Sequence, residues 1–181
     1  MSALTPVASS ADLTCPACSP TCAHWFYDTY ALAKVTGGAI VKGGGDSWFF
    51  LTADYAFGHA LERDVTAVVV ASGGKVLGGV KHPLSTQDFS SYLLQAQSSK
   101  AKIIGLANAG MDTVNAIKQA GEFGIVNAGQ RLACLLVFAT AVPALNLPVA
   151  QGLVLTEAFY WGHQAEAQAW TQSVCATKGQ P

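Results

Sequence analysis

Charge is scarce in this chain. Of its 181 residues, 12% are Asp, Glu, Lys or Arg, against about 25% in an ordinary soluble domain. Hydrophobic residues make up 51%, so a sizeable core can be buried. The thin cover of charge suits a surface that another segment or chain covers. Net charge is −1 and no basic cluster is present, which removes the usual electrostatic grip on nucleic acid or an anionic membrane. No basic region followed by an apolar one opens the chain, so no secretion signal is visible, an absence that by itself favours the cytoplasm.

Other absences narrow the function. No G-x-G-x-x-G follows a predicted strand, and no P-loop occurs. Gly43-Gly44-Gly45 precedes a strand, so it cannot cradle phosphate at a helix start. No Ser sits in a G-x-S-x-G elbow, and His59 and His82 have no evident acid partner. No uninterrupted membrane span exists either. Residues 132–156 are uncharged and long enough to cross a bilayer, but Pro143, Asn146, Pro148, Gln151 and Gly152 split them into strand, short helix and strand. The five cysteines are an odd number and argue against a complete disulfide framework. Cys15, Cys18, Cys22 and His24 carry metal-like spacing. Pro16 and Pro20 leave that stretch little room to fold round an ion. No metal, no cofactor and no enzymatic activity are expected.

What is present is organised around residues 47–58. Ser47-Trp48-Phe49-Phe50-Leu51-Thr52 is a short apolar run after three glycines and reads as a buried strand. Phe57, Leu61, Val65 and Val68 then share one helical face as far as about Ala71. A buried strand feeding an amphipathic helix opens a βα unit. Before it, Phe26, Tyr30, Ala33, Gly37 and Ile40 form a helical face ended by Gly43 to Gly45.

Further strands are predicted at residues 75–81, 102–107, 132–138 and 153–156. Ser85-Thr86-Gln87-Asp88 resembles a capping box before Phe89 and Leu93. Asp112 is the expected N-cap of a helix bearing Val114, Ile117 and Gly121. Alternating strands and helices predict an α/β fold: a doubly wound parallel sheet of about five strands, helices on both faces, with right-handed crossovers.

In such sheets ligands bind outside the carboxyl ends of the strands. Those ends supply Asp54, Tyr55 and Phe57, then His82, then Asn108 and Asp112, then Thr140. Acids, an amide, a hydroxyl and aromatics suit a small polar solute with an amino or amide group. The same residues are also ordinary caps and packing groups. A flavodoxin-like sensor or enzyme would use the same crevice, marked by a phosphate loop or a nucleophile–base pair.

Several blocks carry a family resemblance. They are residues 24–30 (His-Trp-Phe-Tyr-Asp-Thr-Tyr), residues 48–58 from Trp48 to Gly58, His82-Pro83-Leu84 through Asp88-Phe89-Ser90, residues 105–110 and residues 152–156. Over residues 19–181 the chain resembles the periplasmic substrate-binding proteins of branched-chain amino acid (Leu/Ile/Val-type) ABC transporters. The resemblance implies one lobe of a type I periplasmic-binding fold, in which two lobes close on a solute by a hinge. It implies a periplasmic, non-enzymatic protein that delivers an amino acid or small amide-like solute to a membrane permease.

The matched part is mainly the second lobe. Residues 1–23 are expected to be an irregular segment, 24–170 the α/β lobe, and 171–181 a truncated tail. A fragment or truncated gene product is the expectation, and binding by this lobe alone should be weak. Carried over residue by residue, the resemblance places Phe57 before Gly58, Tyr55 beside it, Asn108 and Ala109 in the third loop, Thr140 in the fourth, and Tyr27 and Asp28 at the lobe crossing. Ala109 stands where many members have a larger aromatic. The fourth loop, Ala139-Thr140-Ala141, lacks the acid that members often have there, which puts an ordinary branched-chain amino acid in question.

Overall fold

Trp48 and Phe50 face one side of a sheet and Phe49 and Leu51 the other, all buried. Successive side chains of a strand alternate between faces, so burial on both sides requires helices above and below. The computed structural model describes residues 3–5, 8–14, 16–145, 152–156 and 159–178. Its strands are β1 (Ala3–Thr5), β2 (Cys22–His24), β3 (Ser47–Ala53), β4 (Lys75–His82), β5 (Ile103–Ala107) and β6 (Arg131–Cys134). The last four form a parallel sheet in the order β4-β3-β5-β6. β1 and β2 form a separate parallel pair.

Helices cover both faces. Trp48 and Phe50 pack with Leu32, Ile40, Leu61, Val65 and Val69. These come from α1 (Thr29–Leu32), from α2 (Gly38–Lys42), which follows α1 through the π-helical turn Ala33–Gly37, and from α3 (Ala56–Ala71). Phe49 and Leu51 pack with Phe89, Leu93, Val114 and Ile117, from or beside α4 (Ser90–Ser98) and α5 (Gly110–Glu122). The chain ends its described part with α6 (Ala165–Lys178). Among the described residues no helix is long and apolar enough to cross a membrane.

The α/β parallel architecture matches the expectation, and several details differ. The fifth strand reduces to an isolated bridge between Ala133 and Val154, with Cys134 N donating to Val154 O at 3.3 Å. Val154 is 39% exposed, unlike the buried residues of β3 and β5. β6 stops at Cys134, although Leu135, Leu136 and Val137 remain buried. The short helix expected between these strands falls partly on residues 146–151, outside the described residues. Residues 1–23 are not wholly irregular, since β1 and the start of β2 lie there. α6 runs through residue 170 without a break.

Two capping assignments also change. Asp112 lies in the first turn of α5, behind the N-cap Ala109, and its Oδ2 accepts from Ser85 N at 3.1 Å. Ser85 is no cap: it takes φ 61 in the turn before α4. Asp88 satisfies the helix start instead, accepting from Ser90 N at 2.8 Å. The glycines of β4 do mark a bulge. The register against β3 shifts between Trp48 and Phe49, where Leu77 is left out of the pairing.

Cys134 reports on the core. Burial pushes its thiol from an ordinary 9.0 up to about 12. Folding therefore favours the protonated thiol. That stabilisation is fully present below pH 9.0 and is lost as pH rises toward about 12, by at most ~1.4 kcal/mol per pH unit. Urea midpoints measured from pH 8 to pH 10.5 should fall more steeply for the wild type than for Cys134→Ala; parallel curves would contradict this.

Candidate functional site

The sheet's carboxyl end is shaped by tight turns. β3 ends at Ala53, and only Asp54 and Tyr55 separate it from α3. Gly58 permits so short a turn, because a Cβ there would lie 2.1 Å from Ala53 O and 3.1 Å from Ala107 O. α3 thus starts hard against the ends of β3 and β5. Tyr55 and Phe57 stand on either side of its first residue, ring centroids 5.8 Å apart.

These rings form one wall of a cleft of about 530 Å³. Ala109, the N-cap of α5, Leu136 and Phe138, which follow β6, and Tyr27 continue the wall. Tyr27 meets Phe138 edge-on at 5.5 Å. Residues 8–13 form a strap that completes the lining, contributing Ala8, Ser9, Ser10 and Leu13. The Ser10 hydroxyl accepts from Asp12 N and starts the 3-10 turn Ala11–Leu13. The lining is therefore mainly aromatic and aliphatic, with Ser9, Ser10 and the two tyrosines as its hydroxyl-bearing residues. Burial raises the Tyr55 phenol above its usual range, and Asp112 and Tyr27 add to that. Tyr55 thus remains a neutral O–H donor at physiological pH.

Four of the residues chosen from sequence meet on this wall: Tyr27, Tyr55, Phe57 and Ala109. Asp54 does not join them; it is exposed, and its Oδ1 lies 2.8 Å from His59 Nε2. His59 thereby has the acid partner that its sequence context does not reveal. Asp28 caps α1, accepting from Ala31 N at 2.7 Å. Asn108 is fully buried. Its Nδ2 lies 3.1 Å from His82 Nε2, and its Oδ1 accepts from Thr113 Oγ1 at 2.7 Å. His82 Nδ1 is bonded to Pro83 O at 2.9 Å, so that nitrogen carries the proton and Nε2 accepts from Asn108. Thr140 sits on the 3-10 helix Ala139–Ala144 just after Phe138, its side chain outside the described residues.

Ser9, Ser10, Leu13, Leu136 and Phe138 are wall residues that the sequence reading did not pick. Phe138 ends an apolar run, a usable signal; the strap has no periodicity to betray it. Cys18 is exposed and Cys22 half-buried. Cys15 lies outside the described residues. Among the described residues no three metal-ligating side chains converge.

A sequence profile described as "Periplasmic binding protein" matches residues 2–181. The chain belongs to the periplasmic binding protein family. The match begins well before residue 19, so the strap is part of the family region too. A periplasmic binding protein from Burkholderia mallei is 57% identical, with TM-score 0.91 over 98% of this chain and 48% of its own. A branched-chain amino acid ABC transporter periplasmic ligand-binding protein from Burkholderia xenovorans LB400 is 30% identical, with TM-score 0.89 over 99% of this chain and 48% of its own. An amino acid ABC transporter substrate-binding protein from Pseudomonas fluorescens Pf-5 shares the fold, at 24% identity, TM-score 0.87, over 97% of this chain and 48% of its own. This periplasmic binding protein chain therefore spans about half the length of these solved relatives. No curated protein matches it. Its architecture is that of one lobe of the type I fold.

Proposed function

We propose that this chain is half of the solute-binding component of an ABC transporter, acting in the periplasm without chemistry and handing its solute to a membrane permease. The observation that carries the reading is the aromatic wall formed by Tyr27, Tyr55, Phe57 and Phe138 at the carboxyl end of the sheet. Concave apolar sites with a few polar groups at the edge are where small molecules bind. The solute is an amino acid or small amide-like compound with an apolar or aromatic body. The description of the Burkholderia xenovorans relative as a branched-chain amino acid ABC transporter periplasmic ligand-binding protein supports that class.

Tyr27, Tyr55, Phe57 and Ala109 are proposed to touch the solute. Asp28 and Asn108 hold the walls through the partners already described, and Asp54 pairs with His59 outside the lining. Thr140 stays a candidate from its place after Phe138. Half of a two-lobed site binds weakly, since the polar end of the solute stays solvated and closure is incomplete.

A thermal-shift screen of the full-length protein tests this. L-leucine, L-phenylalanine, benzamide and benzoate cover the class, and the last two ask whether a ring alone suffices. At a hundredfold excess over Kd a bound solute stabilises by about 2.7 kcal/mol, several degrees in Tm. At least one should shift Tm with concentration; no shift with any of them would overturn the reading.

A further inference from the structure

The strap that lines the cleft through Ala8, Ser9, Ser10 and Leu13 is held by a closed ring of hydrogen bonds. Thr29 N donates to Ser9 O at 2.8 Å, and Ala11 N donates to Thr29 Oγ1 at 3.1 Å. The Thr29 hydroxyl in turn donates to Asp64 Oδ2 at 2.6 Å. Asp64 Oδ1 accepts from Arg63 Nε at 3.0 Å, and Arg63 Nη2 reaches back to Asp12 Oδ1 at 3.3 Å. The ring therefore leaves the strap, passes through α1 to α3, and returns to the strap.

Its parts are unequal. Thr29 is fully buried, and the Asp64 side chain is only 13% exposed, whereas Arg63 and Asp12 are 57% and 46% exposed. The exposed Arg63–Asp12 pair contributes little in water. The Thr29–Asp64 bond is short, charge-assisted and sheltered, which makes it the strong member. A hydroxyl has one proton to give. Spending it on Asp64 turns the lone pairs of Thr29 toward Ala11 N. The carboxylate on α3 thus sets the direction of the bond that fixes the strap.

We propose that Asp64 is the positioning residue of the cleft: acting through Thr29, it sets residues 8–13 in the place from which they line the cleft with Tyr55 and Phe57. The proposal deepens the solute-binding reading and rests on it for its meaning. α3 carries both ends of the arrangement, the aromatic wall at its first turn and Asp64 two turns on. Any movement of α3 relative to the strap must break or re-aim this bond.

The test is amide hydrogen exchange read by mass spectrometry on the full-length protein without solute. A failure there is distinct from a failure to bind solute. Asp64→Ala and Thr29→Val should each speed exchange in peptides covering residues 8–14 by about tenfold, the effect of losing one net hydrogen bond to a charged group. Peptides from α3 beyond its second turn and from β3 and β5 should keep their wild-type rates. Thr29→Ser, which retains the hydroxyl, should keep wild-type exchange throughout. Unchanged strap exchange in Asp64→Ala would overturn the proposal. An equal rise across strap, α3 and sheet would overturn it too, since it would mark a merely stabilising bond.

Discussion

Gly58→Ala should destabilise the protein by about 3 kcal/mol or more, the upper range for forcing extra volume into a packed site. In an unconstrained helix the same change would stabilise by up to about 1 kcal/mol. The sign here is decided by space. The added Cβ would lie 2.1 Å from Ala53 O and 3.0 Å from Ala53 C, with Ala107 O at 3.1 Å. All three are backbone atoms at the ends of two paired strands, so no rotamer change relieves the clash. α3 would have to lift from the sheet, carrying Tyr55 and Phe57 with it. The urea midpoint measures the effect. A neutral or stabilising outcome would mean that α3 does not sit this close to β3 and β5.

Asn108→Ala should cost about 3 kcal/mol, and the loss should appear in stability. The substitution leaves His82 Nε2 and the Thr113 hydroxyl facing a void, and both are buried. An unsatisfied buried polar group costs about 1–3 kcal/mol, and two are created. Asn108→Asp should not restore the neutral network, because a carboxylate has no N–H to give His82 Nε2. Asn108 was chosen from sequence as a group facing solute, and the structure gives it to the turn that carries Ala109. A urea midpoint close to wild type for Asn108→Ala would show that the relay to His82 and Thr113 does not hold this corner.

The parts of the fold that could be read from sequence are those with a period. α3 occupies Ala56–Ala71 as expected, because Phe57, Leu61 and Val65 repeat at helical spacing and all three are buried. β3 was legible because its run is apolar on both faces. Residues 153–156 misled for the same reason: an apolar tetrapeptide has the composition of a strand whether or not it has two neighbours. The strap was not legible, since its order comes from Thr29 and Asp64, far along the chain. Strand-end logic found Tyr55 and Phe57, and family resemblance added Tyr27 and Ala109. The acids were harder. Asp28 and Asp54 look alike in sequence, and only coordinates show one capping a helix and the other bonded to His59.

Adjacent residues offer the most direct test of the central claim, that the aromatic wall takes the solute. The measurement is calorimetric titration of the full-length protein with the solute giving the largest thermal shift. Tyr55→Ala removes a half-buried ring from the cleft, and Asp54→Ala removes an exposed carboxylate beside it. Tyr55→Ala should weaken binding about tenfold, as expected for a stacked ring with its buried area, while leaving Tm nearly unchanged. Asp54→Ala should keep wild-type affinity within about twofold, since exposed pairs of this kind are worth little. Unchanged affinity in Tyr55→Ala with an intact fold, or a large loss confined to Asp54→Ala, would contradict the account.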